Sequence, residues 1–179
     1  AVLQAGADPQ DPEAVAKVLT DTRLTVTADP AAPSVSVNGV VVDGQIRGPE
    51  VTGAVSAVAA MPAVRGVMVA QQRAIIGDAR RATGIVVEGR DIGTVVAPDA
   101  ELKVFLTASD HERARRRSTQ DASDTAATAA DLARRDRLDS TRITSPLRLA
   151  EDAVVLDSTE LGIDDVVARL RNLLLERRR

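Results

Sequence analysis

Short runs of β-branched residues alternate along this chain with longer segments that have helical spacing. Three of the runs, residues 85–87, 102–106 and 153–157, are almost wholly apolar, which is typical of strands buried on both faces of a parallel sheet. The segments between them are rich in Ala, Leu and Arg and predict covering helices. The pattern therefore predicts an α/β fold with a parallel sheet flanked by helices.

A second group of predicted strands has a different character. Residues 24–27 alternate between apolar and polar side chains, and residues 34–37 and 40–42 flank the pair Asn38-Gly39. Asn-Gly tolerates the positive φ angles that a two-residue type I′ turn requires. We expect an antiparallel hairpin that lies apart from the main sheet.

The first of the apolar runs leads directly into a charged pair. Gly89, Arg90 and Asp91 follow residues 85–87, and ligands of parallel sheets gather beyond the carboxyl ends of the strands. A guanidinium and a carboxylate placed there can grip an anionic substrate that also offers hydrogen bonds. The alternative reading is a surface turn with a solvated Arg-Asp pair, since short glycine-containing motifs are weak evidence.

A second constellation of charges lies further along the chain. Arg135, Asp139 and Arg142 are four and three residues apart, so they share one face of a helix. A ladder of solvated ion pairs would also explain this spacing. The basic helix that contains residues 113–117 precedes them, and a weakly apolar stretch at 118–130, expected to be mobile, separates the two segments. Two arginine-rich helical ends joined by a flexible tip indicate a lid, which suits phosphoryl transfer because charge must be neutralised while water is excluded.

Composition narrows the classes of function. The net charge is −3, so bulk electrostatics does not indicate a nucleic-acid binder, and the absence of Cys excludes disulfides, thiolate nucleophiles and Cys-based metal sites. Aromatic residues make up 1% of the chain, so the core must be aliphatic. With no membrane-length apolar run and no signal peptide, we expect a soluble cytoplasmic protein.

Several separate motifs follow one another along the chain: Gly44-Gln45-Ile46-Arg47, Val55-Ser56, Met61-Pro62-Ala63-Val64-Arg65, Glu88-Gly89-Arg90-Asp91-Ile92-Gly93-Thr94, Lys103-Val104-Phe105-Leu106, Arg113-Ala114-Arg115-Arg116-Arg117, Arg135-Asp136, Asp139-Ser140-Thr141-Arg142 and Leu156-Asp157-Ser158-Thr159. Taken together and in this order, these motifs resemble bacterial cytidylate kinases. They span nearly the whole chain. Ordered motifs of this kind are far more specific than any one of them alone.

The resemblance implies an enzyme that transfers the γ-phosphoryl of ATP to CMP or dCMP with Mg²⁺. It implies a P-loop NTPase-type parallel sheet, an inserted lobe that binds the nucleoside monophosphate and contains the small hairpin, and a helical lid. In these terms residues 1–20 and 77–179 form the kinase core, with the lid at about 113–140, and residues 21–76 form the monophosphate-binding lobe. The expected partners are the nucleotides, with no nucleic acid and no membrane, and the expected state is a monomer.

The resemblance also implies roles for individual residues. Ser56, Arg65 and Asp91 match positions that recognise cytosine, and Arg90 lies next to that pocket. Arg142 matches a residue that contacts the phosphate of the nucleotide, while Arg135 and Asp139 match positions that contact the ribose. Arg113, Arg116 and Arg117 resemble lid arginines, and with Arg142 the last two are the candidate catalytic residues. No metal ligand and no ATP-binding residue is assigned.

One feature of the family pattern is absent. A P-loop kinase needs Gly-x-x-x-x-Gly-Lys-Ser/Thr, and neither Lys17 nor Lys103 follows a glycine-rich loop. We expect the P-loop strand and helix upstream of residue 1, and the 179 residues to be inactive by themselves. The stretch at 119–124 also looks shorter than the lid of the family.

Two other functions compete with this prediction. The chain could be a P-loop kinase for another nucleoside monophosphate. From a different class, it could be a non-catalytic, arginine-rich module that binds nucleic acid, although its acidity and lack of stacking aromatics argue against this.

Overall fold

The structure is a computed structural model that describes residues 1–29, 31–82, 84–121, 125–141 and 146–178. The chain divides into two compact units, residues 1–88 and residues 89–179. This division follows contacts within each unit. The functional division into a kinase core and a monophosphate-binding lobe stays a prediction.

The first unit begins with a single helical turn that Gly6 closes in the left-handed region, at φ 65°. Helix α1 (Pro12–Thr20) follows because Asp11 caps it, accepting hydrogen bonds from the backbone N–H groups of Glu13 and Ala14 at 2.9 and 3.2 Å. Its Val15 is only 1% exposed and belongs to the core of this unit.

The predicted hairpin is present in the first unit. Strands β1 (Leu24–Thr27), β2 (Ser34–Val37) and β3 (Val40–Val41) form an antiparallel sheet in the order β1-β2-β3. The turn between β2 and β3 has φ angles of 51° at Asn38 and 82° at Gly39, which is the conformation that Asn-Gly favours. This prediction is confirmed.

Two helices complete the first unit. Helices α2 (Pro49–Ala60) and α3 (Pro62–Arg81) each begin at a proline, whose fixed φ suits the first position of a helix, and they are bent by 97° where they meet. The side-chain amide of Gln71 on α3 donates to the carbonyl of Leu24 at 2.8 Å and so ties this helix to β1. In the described residues, no single helix has the length and apolar character needed to cross a membrane, and only α2 and α3 counted together would meet that test.

The strand predicted at residues 85–87 is not formed, and that prediction is wrong for this structure. Its side chains alternate in burial as those of a strand would, yet Val86 is 97% exposed. A strand needs a hydrogen-bonded neighbour, and none of the described strands pairs with these residues. The apolar pattern of residues 85–87 therefore indicates a preference for strand-like alternation in burial, but it does not show that a partner strand is available.

The second unit contains the parallel sheet. After a tight turn at Ile92–Val96, strand β4 (Val104–Thr107) pairs in parallel with β5 (Val154–Asp157), with Val104 opposite Val154 and Thr107 opposite Asp157. Helices α4 (Asp110–Asp121) and α5 (Thr125–Thr141) lie between the two strands in sequence, and α6 (Ile163–Arg177) ends the unit. Buried apolar side chains here are Val96, Ala97, Ala114 and Leu156.

The weakly apolar stretch at 118–130 is largely helical where the structure describes it. Residues 118–121 end α4 and residues 125–130 begin α5, because Ala and other helix-compatible residues dominate the second of these segments. Residues 122–124 lie outside the described residues. The predicted mobility of the stretch stays a prediction.

Candidate functional site

The turn that follows residues 85–88 places Arg90 and Asp91 in opposite environments. The carbonyl of Asp91 accepts hydrogen bonds from the backbone N–H groups of Thr94, Val95 and Val96 at 3.3, 2.9 and 3.3 Å, which turns the chain sharply. A Cβ atom on Gly89 would lie 2.8 Å from Cγ1 of Ile92, so this approach favours glycine. Asp91 is consequently 8% exposed, whereas Arg90 extends outward.

Two carboxylates of α5 hold the outward side chain of Arg90. Its Nε donates to Oδ2 of Asp139 at 2.9 Å, and its Nη2 donates to Oδ1 of Asp136. The second oxygen of Asp136 accepts from Nη1 of Arg113 on α4 at 2.6 Å. We call Arg90, Arg113, Asp136 and Asp139 the Arg90 cluster. It brings two guanidiniums to one helix face, where Asp139 is only 6% exposed.

A second arginine of α4 has a different set of partners. Arg116 donates from Nη1 to the hydroxyl of Ser158 at 3.0 Å and from Nη2 to the carbonyl of Ser158 at 2.6 Å, with a longer contact to the carbonyl of Leu161 at 3.3 Å. Its Nε donates to Glu112 at 2.6 Å. These contacts fasten α4 to the loop that follows β5.

That loop and the start of α4 also line an open pocket of about 430 Å³. Its lining includes Ser109, Glu112, Arg115, Thr159, Leu161 and Gly162. Arg115 donates to both carboxylate oxygens of Glu112 at 2.7 Å. The hydrogen bonds from Arg115, and after them those from Arg116, lower the pKa of Glu112 to about 2. The carboxylate of Glu112 is therefore ionised throughout the physiological range.

The loop after β5 is itself held by short polar contacts. Oδ1 of Asp157 accepts from the hydroxyl of Thr159 at 2.7 Å and from its backbone N–H at 2.8 Å, and these bonds keep the pKa of Asp157 below its ordinary value. The hydroxyl of Thr159 accepts in turn from the backbone N–H of Ser109 at 2.9 Å. Sequence reasoning did not single out this contact. The available signal was a run of polar residues immediately after a buried strand, the position where parallel sheets build sites.

The predicted site residues fall into three groups. In the first unit, Ser56 on α2 and Arg65 on α3 are partly buried. In the second unit, the described positions are Arg90, Asp91, Arg116, Arg117 and Asp139. The structure brings Arg90 and Asp139 together, and it also brings Arg113 into the same cluster. Arg142 and the side chain of Arg135 lie outside the described residues, and convergence of all these groups on one nucleotide stays a prediction.

Two parallel strands, each followed by a helix, with guanidiniums and carboxylates beyond their carboxyl ends, define an α/β protein that is suited to binding phosphorylated ligands. The comparisons with known proteins narrow this class. The family described as "Cytidylate kinase" matches residues 1–176. The chain belongs to the cytidylate kinase family, so it is a phosphotransferase with the predicted P-loop NTPase-type α/β fold.

Individual relatives support the assignment over nearly the whole chain. The chain is 51% identical over 180 residues to a protein named cytidylate kinase from Rhodococcus jostii (strain RHA1), covering 98% of this chain and 77% of the relative. A protein of the same name from Geobacillus kaustophilus (strain HTA426) is 46% identical, covering 98% of this chain and 79% of that protein. The chain therefore spans somewhat more than three quarters of the length of these two relatives.

Proposed function

We propose that the protein transfers the γ-phosphoryl of ATP to CMP or dCMP, giving CDP or dCDP and ADP. The observation that carries the proposal is the Arg90-Asp91 turn, in a chain whose residues 1–176 match the family. One of its side chains is a buried carboxylate and the other an arginine held by carboxylates on α5. The base of a nucleotide needs a buried hydrogen-bonding group and its phosphate needs a positive charge, and these two residues are neighbours in the chain.

Discrimination between cytosine and uracil would come from the carboxylate of Asp91. Cytosine presents an exocyclic amine, which donates to a carboxylate, whereas uracil presents a carbonyl at the same position, which a carboxylate repels. Because Asp91 is buried, water would compensate poorly for the lost bond. Ser56 and Arg65 are proposed to bind the remaining polar edge of the base.

The phosphate and ribose of the acceptor would be held by the charged residues of the second unit. Arg90 and Arg142 are proposed to contact the phosphate, for which the planar guanidinium fork is well matched. Arg135 and Asp139 are proposed to contact the ribose, which would accommodate both CMP and dCMP.

The donor side of the reaction requires neutralisation of the ATP phosphates. We propose that Mg²⁺ accompanies ATP and that Arg113, Arg116 and Arg117 contribute positive charge as the lid closes. In the described ranges no group of three or more His, Asp or Glu side chains could hold a metal ion alone. In enzymes of this kind Mg²⁺ usually binds through one or two carboxylates together with substrate phosphates and water. When bound, the ion would offset the charge that develops on the transferred group.

The test is a panel of acceptors presented to the product of the full-length gene, because the relatives are longer than this chain. We expect phosphorylation of CMP and dCMP with ATP, and UMP and AMP to be poor acceptors. Comparable rates with AMP or UMP would favour a kinase for another nucleoside monophosphate. Salt-sensitive micromolar binding of RNA without turnover would favour the nucleic-acid-binding alternative.

Replacement of Asp91 tests the specificity mechanism. Asp91→Ala should reduce kcat/KM for CMP by roughly a hundredfold, as expected for loss of a buried charged hydrogen-bond partner. The control is Asp78→Ala on α3, where the carboxylate is exposed and pairs with nearby Arg81. Unchanged kinetics of Asp91→Ala with CMP would remove this residue from the site.

Cellular location and assembly belong to the same proposal. We propose a monomer that acts in the cytoplasm and binds neither membranes nor nucleic acid. Light scattering on the purified protein and fractionation of cells would test these points.

A further inference from the structure

The Arg90 cluster contains one carboxylate to which the family resemblance gives no role. Asp136 contributes one oxygen to Nη2 of Arg90 and the other to Nη1 of Arg113, at 2.6 Å in the second case. A single side chain on α5 thus joins the turn at Gly89–Asp91 to helix α4. We propose that Asp136 is a positioning residue that sets the orientation of Arg90 towards the acceptor.

The geometry of Arg90 explains why two carboxylates are needed. Asp136 and Asp139 are three residues apart on α5 and therefore face the same side. They occupy Nε and Nη2 of Arg90, which are neighbouring donors on one side of the guanidinium. The remaining N–H groups of Arg90 donate to nothing in the described part of the chain, and they include the donors of a second edge that could bind a phosphate bidentately.

Asp136 and Asp139 are not equivalent in this arrangement. If the proposed function holds, on which this inference rests, Asp139 also accepts from the ribose, so its bond to Arg90 is shared or lost when the acceptor binds. Asp136 would then be the partner that holds Arg90 throughout. Its bond to Arg113, whose Nη2 also donates to Asp110 at 2.8 Å, fixes the carboxylate from the side of α4.

The decisive variant is Asp136→Asn in the full-length protein. An amide keeps the size of the side chain, but its NH₂ group faces one of the two guanidiniums and repels it. We expect kcat/KM for CMP to fall about 10- to 100-fold, the range for a misplaced binding group, mainly through a higher KM for CMP. The KM for ATP should change less than about twofold, and calorimetry without ATP should show weaker CMP binding.

The chain offers a matched control on the same helix. Asp131 pairs with Arg134 at 3.3 Å, with both side chains at least half exposed, so Asp131→Asn makes the same chemical change outside the cluster. We expect wild-type kinetics for this variant. Equal kinetics of Asp136→Asn and Asp131→Asn would overturn the inference, as would equal increases in the KM values for CMP and ATP together with a large loss of thermal stability.

A conservative replacement keeps the inference testable if the Asn variant does not fold. Asp136→Glu retains the charge but moves the carboxylate by one methylene, and it should raise the KM for CMP about two- to fivefold without changing that for ATP. A wild-type KM for CMP, or one as high as that of Asp136→Asn, would contradict the inference. Absence of CMP turnover in the wild-type protein would instead refute the proposed function, so the two failures are distinguishable.

Discussion

Arg90 and Arg116 lie in the same unit and are both held by several hydrogen bonds, but the acceptors differ. Arg116 donates to two backbone carbonyls and to the hydroxyl of Ser158, which is 2% exposed, as well as to Glu112. Among the residues that the structure describes, Arg90 donates to the side-chain carboxylates of Asp136 and Asp139. Arg116 fastens α4 to the loop that follows β5, whereas Arg90 is held along one edge of its guanidinium.

The difference indicates how readily each arginine can serve a ligand. A ligand that recruits Arg116 must break several hydrogen bonds at once, those to the hydroxyl and carbonyl of Ser158 and to the carbonyl of Leu161. Carboxylates are anions like a phosphate, and a guanidinium can exchange one for the other or bind both through different edges. The structure therefore favours Arg90 as a substrate arginine. A catalytic role of Arg116 stays a prediction that must be separated from its structural contacts.

The largest expected effect concerns Arg90. Arg90→Lys keeps the positive charge beside Asp136 and Asp139 but removes the fork, so kcat/KM for CMP should fall roughly 10- to 100-fold while the melting temperature changes by only a few degrees. Steady-state kinetics and calorimetric melting would measure both quantities. A loss of stability in Arg90→Lys with an unchanged kcat/KM for CMP would contradict the distinction between Arg90 and Arg116.

An intermediate effect is expected when the contacts of Arg116 are removed from the other side. Ser158→Ala deletes the hydroxyl that accepts from Arg116 and donates to the carbonyl of Thr107 at 2.9 Å. We expect a loss of about 1–2 kcal/mol in the free energy of unfolding, or roughly 3–6 °C in melting temperature.

Arg116→Lys separates the two possible roles of this arginine. If Arg116 only anchors α4, this variant should resemble Ser158→Ala in both stability and turnover. A much larger loss of turnover in Arg116→Lys would show that the guanidinium also acts on the nucleotide.

The smallest expected effect is a change in the acid dependence of stability. The pKa of Glu112 is lowered from 4.5 to about 2, first by hydrogen bonds from Arg115 and then by those from Arg116. Glu112 has a lower pKa in the folded protein than in the unfolded chain. Its contribution to the free energy of unfolding is therefore complete above the unfolded pKa, and it is lost as the pH falls towards about 2. Urea unfolding of wild type and Glu112→Gln should differ most above about pH 5 and converge near pH 2. A constant difference across this range would contradict the prediction.

Features of the fold that depend on neighbouring residues were predictable from the sequence. The turn at Asn38-Gly39 was predicted and is found, and the cap at Asp11 and the prolines that begin α2 and α3 likewise act within a few residues. The segment 85–87 shows the limit of this reasoning. Its pattern is that of a strand, but a strand forms only against a hydrogen-bonded partner. In a parallel sheet that partner is distant in the sequence, so the local pattern cannot supply it.

The same limit applies to the candidate site. The spacing of Arg135 and Asp139 indicated one helix face, and α5 does include both positions. The sequence alone could not show that Asp139 would pair with Arg90, which lies 49 residues earlier, or that Asp136 would pair with both Arg90 and Arg113. Contacts of this kind depend on how the turn and the helices pack, so charge patterns identified the participants but not the pairs.

The parallel pairing of β4 and β5 has an electrostatic consequence for the whole second unit. Because both strands run in the same direction, α4 and α6, which follow them, start at the same edge of the sheet. Each start carries the partial positive charge of a helix dipole, and each already stabilises acidic side chains in its first turn, Asp110 and Glu112 in one and Asp164 and Asp165 in the other. The four carboxylates outweigh these two partial positive charges, so an anion that approaches this edge must be met by guanidiniums rather than by the helix starts.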